Sequence, residues 1–287
     1  MSVFFTDSDC ELWYTDVDKY NIQVLNMPYT LDGEEKFYDM GRNTDFKHMF
    51  DRMRAGAMPI TSALNPQDYM DAFEPIFERG EDILYVHFSD KLSGTFNYMA
   101  NAINILKEKY PERKVTLFNT NSICYGGGVQ ALMAAKMHAE GKSDEEIVKY
   151  LEMISPHIVM EFVVDSLSHL KRGGRVSAAT AIVGGILNIK PILKMTDEGK
   201  IEKFATAKGM KKAISTIVES CVQRAQKTDE FVISIIDADN KEMADYAEKL
   251  LKEKLPGVEV NRLPIGPVIG AHCGPGTVGL VYYGDKK

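Results

Sequence analysis

Polar side chains that could bind or react with a ligand follow apolar runs at three places in the chain. They are Thr61-Ser62, Ser93-Gly94-Thr95 and the glycine-rich segment 270–276, which contains His272. Loops that follow the carboxyl ends of parallel strands meet at one edge of a sheet, where ligands bind. The Ser93 loop precedes a predicted helix, and the free N–H groups of a helix start favour an anion. Its hydroxyls and amides therefore fit one carboxylate or phosphate, or they only cap the helix.

Other chemistries have weaker support in the sequence. The six histidines show no HExxH or paired-ligand spacing and the four cysteines form no CxxC pair, so no metal site is expected. A P-loop ending at Gly141-Lys142-Ser143 would need glycine where Lys136 stands, and this segment instead predicts a helix end followed by a helix cap. A serine hydrolase that uses Ser93 and His272 stays open as an alternative, although GxSxG is absent and no third triad member is evident.

Composition narrows the class of protein. The chain has 287 residues, 45% of them hydrophobic, and a formal net charge of −7, which suits a globular fold and gives no basic surface for nucleic acid. The longest apolar run, 178–189, is too short to span a bilayer. The N-terminus reaches three acidic residues by position 11 and lacks the pattern of a signal peptide. We therefore expect a cytoplasmic protein whose cysteines are free thiols.

Apolar runs of strand length alternate with amphipathic segments of helix length, a pattern typical of a parallel α/β sheet. Residues 83–88 form the clearest strand, and Phe46, Met49, Phe50 and Met53 have the spacing of one helix face. Near residue 160 the strands and helices become shorter. The pattern predicts two domains, 1–158 and 159–287.

Two segments after this boundary have unusual composition. Residues 170–177 join basic side chains to a tight glycine turn, which precedes a helix in the simplest interpretation. Residues 181–193 are too apolar on all sides for a surface helix. They predict either core or the wall of an apolar cavity.

Six segments, taken in order along nearly the whole chain, resemble the DegV family of bacterial fatty-acid-binding proteins. A single tripeptide would be weak evidence, whereas the six together are specific. The segments are Thr6-Asp7-Ser8, Thr61-Ser62, Leu92-Ser93-Gly94-Thr95-Phe96, residues 170–177, residues 187–193 and residues 266–276.

The resemblance implies two α/β domains of DegV type. The N-terminal domain would hold a parallel sheet with flanking helices and the C-terminal domain a mixed sheet, with the lipid site between them. The resemblance assigns the fatty-acid carboxylate to Thr61, Ser62, Ser93, Gly94, Thr95 and His272. It places the acyl chain along Ile182, Ile186, Ile189 and Ile192.

The same resemblance implies a non-enzymatic carrier without a cofactor, whose ligand is a long-chain fatty acid such as palmitate, stearate or oleate. A separate fatty acid kinase of the dihydroxyacetone-kinase-like type would phosphorylate the bound carboxylate to an acyl phosphate for phospholipid synthesis. Arg172 and Lys208 would face that kinase. We expect a monomer that makes at most transient membrane contact. A small-anion sensor that uses the same loops without a lipid tunnel is a further alternative.

Several positions depart from the family pattern. Residues 63–66 (Ala-Leu-Asn-Pro) replace Gln-Pro-Ser after Thr61-Ser62, and Lys208 replaces a frequent arginine. Asn119, Cys124 and Cys273 stand where aspartate, serine and threonine are usual. These changes leave the fold prediction intact and affect the fine structure of the ligand site and the pairing with a kinase.

Overall fold

A computed structural model describes residues 2–176, 188–228 and 230–287. Within it the chain forms two compact units. The first unit comprises Met1–Thr44 and Ile60–Ser155, and the second comprises Asp45–Pro59 and Pro156–Lys287.

The described residues form thirteen β-strands and ten α-helices. The strands are β1 (Val3–Asp7), β2 (Gln23–Leu25), β3 (Pro28–Leu31), β4 (Glu34–Phe37), β5 (Ile60–Thr61), β6 (Ile83–His87), β7 (Val115–Asn119), β8 (Ile158–Val163), β9 (Ile189–Met195), β10 (Ile201–Lys208), β11 (Ile233–Asp237), β12 (Val260–Pro264) and β13 (Val278–Tyr283). The helices are α1 (Tyr14–Lys19), α2 (Phe46–Arg54), α3 (Pro66–Glu78), α4 (Thr95–Lys109), α5 (Tyr125–Ala139), α6 (Asp144–Ile154), α7 (Ser168–Arg172), α8 (Met210–Arg224), α9 (Lys241–Lys254) and α10 (Pro267–Cys273).

The first unit is built on a parallel sheet with strand order β2-β1-β6-β7. All five residues of β6 are buried, which explains its continuous apolar run, because a strand inside a parallel sheet is covered on both faces. The strand order reverses between β1 and β6. In an open α/β sheet such a reversal creates a crevice at the carboxyl ends of the strands, where ligands bind.

A second, antiparallel sheet of the first unit has the order β4-β3-β5. The turn between β3 and β4 consists of Asp32 and Gly33, both with positive φ (55° and 84°). A two-residue turn of this kind matches the twist of a β-hairpin, and Asp-Gly is its preferred sequence. This small sheet positions β5, which carries the first of the predicted hydroxyl side chains.

The second unit contains a mixed sheet with strand order β10-β9-β8-β13-β11-β12. Among the described strands of this sheet, only β11 and β12 pair in parallel, and the other neighbours are antiparallel. The apolar core combines residues of α8 and α9 with residues of the sheet. It includes Ile217, Val218, Leu251, Ile235 and Leu280.

Several sequence predictions about local structure are confirmed. The α/β class with a parallel and a mixed sheet is correct. Met49, Phe50 and Met53 form the buried face of α2. Ser143 and Glu146 form a reciprocal capping box at the start of α6, so the segment resembling a P-loop serves as a helix cap.

The division of the chain differs from the prediction of domains 1–158 and 159–287 in the placement of residues 45–59. These residues belong to the second unit, where the ring of Phe50 packs so closely on α10 that a Cβ at Gly270 would lie 2.8 Å from it. Apolar periodicity shows that α2 has a buried face, but it does not show which core that face joins. The main transition, after Ser155, lies three residues before the predicted boundary.

Candidate functional site

The Thr61-Ser62 pair lies at an edge strand of the first unit. Thr61 ends β5 and is paired with Tyr29 of β3. Ser62 donates its N–H to the carbonyl oxygen of Pro28 at 3.3 Å. Thr61 is half-buried and Ser62 is exposed. Backbone pairing therefore fixes both residues at a position that solvent and a ligand can reach.

The departure at residues 63–66 builds the start of α3. The Asn65 side chain accepts N–H groups from Gln67 at 2.8 Å and Asp68 at 3.2 Å, and the Asp68 carboxylate accepts the N–H of Asn65 at 2.7 Å. Pro66 occupies the first turn, where its missing N–H costs nothing. The replacement residues thus form a strong helix cap next to the hydroxyl pair.

Ser93 and Gly94 form the entrance to α4, a helix of 15 residues. Ser93 Oγ accepts the N–H of Thr95 at 3.2 Å, but the N-cap position of α4 is Gly94, which makes no side-chain cap bond, so the prediction that Ser93 and Thr95 cap this helix is wrong. Because Ser93 Oγ is the acceptor in this bond, its own hydroxyl proton is still available for donation. Within the described residues, no acceptor is paired with that proton. A Cβ at Gly94 would have no atom within 4 Å, so the space above this residue is open. The bond from Thr95 to Ser93 and anion binding by Ser93 are therefore compatible.

Thr95 has a different position from Ser93. It is fully buried, and its Oγ donates to the carbonyl oxygen of Leu64 at 3.4 Å while lying 2.8 Å from the hydroxyl of Tyr69. Because the Thr95 hydroxyl donates its proton to Leu64 O, Thr95 Oγ accepts a hydrogen bond from the Tyr69 hydroxyl. These bonds tie the Thr95 loop to the segment that follows Thr61-Ser62, so the structure brings the two predicted hydroxyl loops together. Tyr69 was missed by sequence analysis, since no local pattern links positions 26 residues apart.

Asp7 is a second residue that the site predictions did not assign. It ends β1 and is fully buried at the point where the strand order reverses. One carboxylate oxygen accepts the Tyr85 hydroxyl and the Phe88 N–H, each at 3.1 Å, and the other accepts the Asp9 N–H at 3.1 Å. Burial raises the pKa of Asp7 to about 7 despite these bonds. Asp7 joins the carboxyl ends of β1 and β6 and so positions the loops that follow both strands.

His272 lies in the second unit, near the end of α10, where it packs against α7. A Cβ at Gly173 would lie closer than 3.0 Å to His272 Nδ1, and a Cβ at Gly274 would lie closer than 3.0 Å to the ring of His169. Each helix therefore ends in a glycine against which the histidine of the other helix packs. Sequence analysis placed Gly173 in a tight turn and did not interpret Gly274. Gly274 has a positive φ (82°), whereas Gly173 has an ordinary helical backbone and is required by the contact.

The electrostatic surroundings of His272 keep its imidazole neutral. Burial, together with the positive charges of Arg175 and Arg172, lowers the pKa of His272 to about 4. Arg172 is exposed and donates to His169 Nδ1 at 3.3 Å. At neutral pH His272 can therefore donate one N–H and accept at its other nitrogen, and the positive charge nearby is carried by the two arginines.

The remaining predicted residues lie in different settings. Lys208 is exposed at the end of β10, opposite Ile189 in the register with β9. Ile189 is half-buried, and Ile192 is fully buried in the core of the second unit. Ile182 and Ile186 lie outside the described residues.

The other departures from the family pattern have clear local roles. Cys124 is buried at the start of α5, and its thiol donates to the Glu11 carboxylate. The Asn119 side chain accepts the N–H of Asn121 at 3.0 Å. Cys273 is also buried. The two cysteines are therefore packed inside the protein.

No cluster of three or more His, Cys, Asp or Glu side chains in residues 2–176, 188–228 and 230–287 could hold a metal ion. Over the same ranges, no helix combines the length and the hydrophobicity that a membrane crossing requires.

Comparison with known proteins identifies the class. The family model described as "Uncharacterised protein, DegV family" matches residues 3–285. A DegV domain-containing protein of Clostridium perfringens is 36% identical, covering 99% of this chain and 98% of its own.

Two solved structures show the same fold. One is a DegV family protein from Thermus thermophilus, described by its fatty acid binding. It is 28% identical, with a TM-score of 0.83 over 99% of this chain and 100% of its own. The other is DegV from Bacillus subtilis, described as a fatty acid binding protein. It is also 28% identical, with a TM-score of 0.81 over 99% of each chain.

The fold is therefore that of a class of two-unit α/β proteins whose solved members include fatty-acid binders. The chain belongs to the DegV family.

Proposed function

We propose that this protein binds a long-chain fatty acid and presents its carboxylate to a separate kinase. The observation that carries the proposal is the geometry of Ser93. Its hydroxyl accepts the Thr95 N–H, retains a proton to donate and borders open space at Gly94, at the start of a long helix. A carboxylate at this position would gain a hydrogen bond from Ser93 and the favourable potential of the helix start.

Four further residues complete the proposed head-group site. Thr61 and Ser62 would add hydroxyl donors from the neighbouring loop, while Thr95 would position that loop through its bonds to Tyr69 and Leu64. His272 is proposed as a neutral hydrogen-bond donor on the strength of the family resemblance. None of these groups is cationic, so the site would orient a carboxylate without placing an ion pair in the interior.

The acyl chain would supply most of the affinity. Burial of each methylene contributes about 0.8 kcal/mol, so a dozen methylenes give on the order of 10 kcal/mol before ordering costs. Ile182, Ile186 and Ile189 are the proposed lining residues, with Ile192 of the packed core behind them. Palmitate, stearate and oleate have the chain length that this proposal needs.

The kinase step is proposed for a partner because the sequence has no phosphate-binding loop of its own. The kinase would transfer the γ-phosphoryl group of ATP to a carboxylate oxygen, which yields an acyl phosphate and ADP. Arg172, exposed beside His272, is proposed to stabilise negative charge as it develops, with Lys208 as a second cation. A partner of the dihydroxyacetone-kinase-like type would bind at this face.

Lipid mass spectrometry of the purified protein tests the binding proposal. We expect about one intact fatty acid per chain, and the Ser93→Ala variant should bind added stearate about tenfold to a hundredfold more weakly, as expected for a lost hydrogen bond to a charged group. Asn101→Ala, an exposed substitution about two turns along the same helix, is the matched control and should bind normally.

Three other outcomes would reject the proposal. Equal stearate affinity in folded Ser93→Ala would remove the head-group assignment. Protein that is always lipid-free and takes up no fatty acid would favour the small-anion sensor. Turnover of acyl esters abolished by Ser93→Ala would favour the hydrolase, which the comparisons do not support.

The kinase proposal has its own test. Lipid-loaded protein should yield acyl phosphate only when a fatty acid kinase, ATP and Mg²⁺ are all present. His272→Ala should keep its bound lipid and lose transfer. Equal transfer rates would remove His272 from this role, and acyl phosphate formed without a kinase would overturn the carrier model.

A further inference from the structure

A cavity of about 590 Å³ lies within the second unit. It is lined by the residues that follow α8, the segment leading into β11, the end of α9 and the turn after α9. Its volume falls in the range of about 300–1,000 Å³ that is typical of small-molecule sites. None of its lining residues belongs to the proposed fatty-acid site.

One wall of the cavity is aromatic. Phe231 stacks on Tyr283 with ring centroids 4.7 Å apart and planes 16° apart. The ring of His157 also stacks on Tyr283, with centroids 5.3 Å apart and planes 28° apart. Phe231 ends this stack and lines the cavity, and it makes no other ring contact within the described part of the chain. A planar ring placed in the cavity would therefore extend an existing stack.

The cavity also exposes an apolar side chain. Val232, which lines it beside Phe231, is 43% exposed, although it directly precedes the buried strand β11. Exposure of an apolar residue in a concave site is unfavourable in water and is relieved when a ligand covers it.

Two lysines at the cavity carry unpaired charge. Lys227 and Lys254 line it, and neither has a salt bridge within the described ranges. The other three lysines of α9 are all paired with carboxylates four residues away on the helix, namely Lys241 with Asp245, Lys249 with Glu253 and Lys252 with Glu248.

The charge at the cavity is unusual for this protein. Glu259 is the one acidic side chain among the described lining residues, which carry two positive charges against one negative in a chain whose formal charge is −7. The lining therefore favours a ligand with a single negative charge.

We propose that this cavity is a second binding site, which takes a small planar aromatic carboxylate. Its ring would stack on Phe231 and cover Val232, and its carboxylate would lie between Lys227 and Lys254. The site is independent of the fatty-acid proposal, because it shares no residue with it.

The experiment uses full-length protein saturated with stearate, so that the fatty-acid site is occupied, and titrates it with 2-naphthoate by isothermal calorimetry. We expect one saturable site with a Kd below about 1 mM that weakens as salt is raised. The double variant Lys227→Gln/Lys254→Gln should bind 2-naphthoate at least about tenfold more weakly than the wild type. The uncharged 2-naphthamide should bind the wild type more weakly than 2-naphthoate by a similar factor. Phe231→Leu should also weaken the naphthoate complex.

The control Lys249→Gln/Lys252→Gln removes the same charge from α9 at lysines that do not line the cavity, and it should bind naphthoate normally. Equal affinity in the Lys227/Lys254 variant, an equal loss in the control, or the absence of saturable binding would overturn the proposal. Stearate released in proportion to added naphthoate would also overturn it, since the probe would then occupy the fatty-acid site. The stearate content measured before titration reports separately on the proposed function.

Discussion

The packing of His272 on Gly173 predicts the effect of adding a single methyl group. In Gly173→Ala the new Cβ would lie closer than 3.0 Å to His272 Nδ1, while the backbone at φ −72° and ψ −10° accepts alanine without strain. Overpacking of this kind costs about 1–3 kcal/mol, and a compatible Gly→Ala change alone gains about 0.4–1 kcal/mol. We expect a net loss of about 1–2 kcal/mol in the free energy of unfolding.

A double-mutant cycle isolates the contact. His272→Ala removes the ring, so the further change Gly173→Ala should then be neutral or stabilising. The double variant should therefore be about 1–3 kcal/mol more stable than the sum of the two single effects predicts. Urea unfolding of lipid-free protein, followed by far-UV circular dichroism, measures all four proteins. Trp13, the single tryptophan of the chain, lies in the first unit, and its fluorescence reports whether that unit is affected.

The neighbouring glycine provides the control. Gly174 has φ +72° and a Cβ there would have no atom within 4 Å, so Gly174→Ala should cost about 1–2 kcal/mol through its backbone alone. Removal of the His272 ring should not relieve that cost. Additive effects of Gly173→Ala and His272→Ala would refute the packing explanation.

The remaining predictions concern the first unit. Because burial raises the pKa of Asp7 from 3.8 to about 7, the folded protein keeps a proton that the unfolded chain releases, so this residue makes stability fall as pH rises from about 4 to 7. Asp7→Asn should remove that contribution. In urea unfolding at pH 5 and pH 8, the wild-type free energy of unfolding should fall relative to that of the variant by up to about 1.4 kcal/mol per pH unit across the window. Parallel pH profiles of the two proteins would contradict this prediction. Tyr69→Phe should destabilise the protein by about 0.5–1.5 kcal/mol and weaken stearate binding through the Thr95 loop, whereas unchanged stearate affinity would show that Thr95 does not position this site.

Local sequence patterns predicted the elements that depend on neighbours along the chain. The buried face of α2, the strand β6 and the capping box at Ser143 each follow from residue types within one or two turns. The hairpin of β3 and β4 was missed although its Asp32-Gly33 turn carries the typical signal, because the strands around it are short and half of their residues are polar.

The site was predictable only in part, for a different physical reason. The start of a helix at Ser93 can be inferred locally, and so can its capacity to bind an anion. The positions of Thr95 and His272 depend on Tyr69 and Gly173, which are distant in sequence and contact them only in the folded protein. Likewise, the low pKa of His272 results from burial, which the fold alone determines.

The placement of α2 in the second unit has a consequence for synthesis on the ribosome. All segments of the first unit are made by Ser155, yet α2 emerges before most of them and packs with α10, which begins at Pro267. During the synthesis of more than a hundred intervening residues, the apolar side chains Met49, Phe50 and Met53 lack the core that will bury them. A nascent chain that has already folded its first unit would therefore expose the apolar face of α2 to solvent. Such a segment is a suitable substrate for a chaperone that binds hydrophobic sequences. For the same reason, no single cut in the chain separates the two units into complete polypeptides.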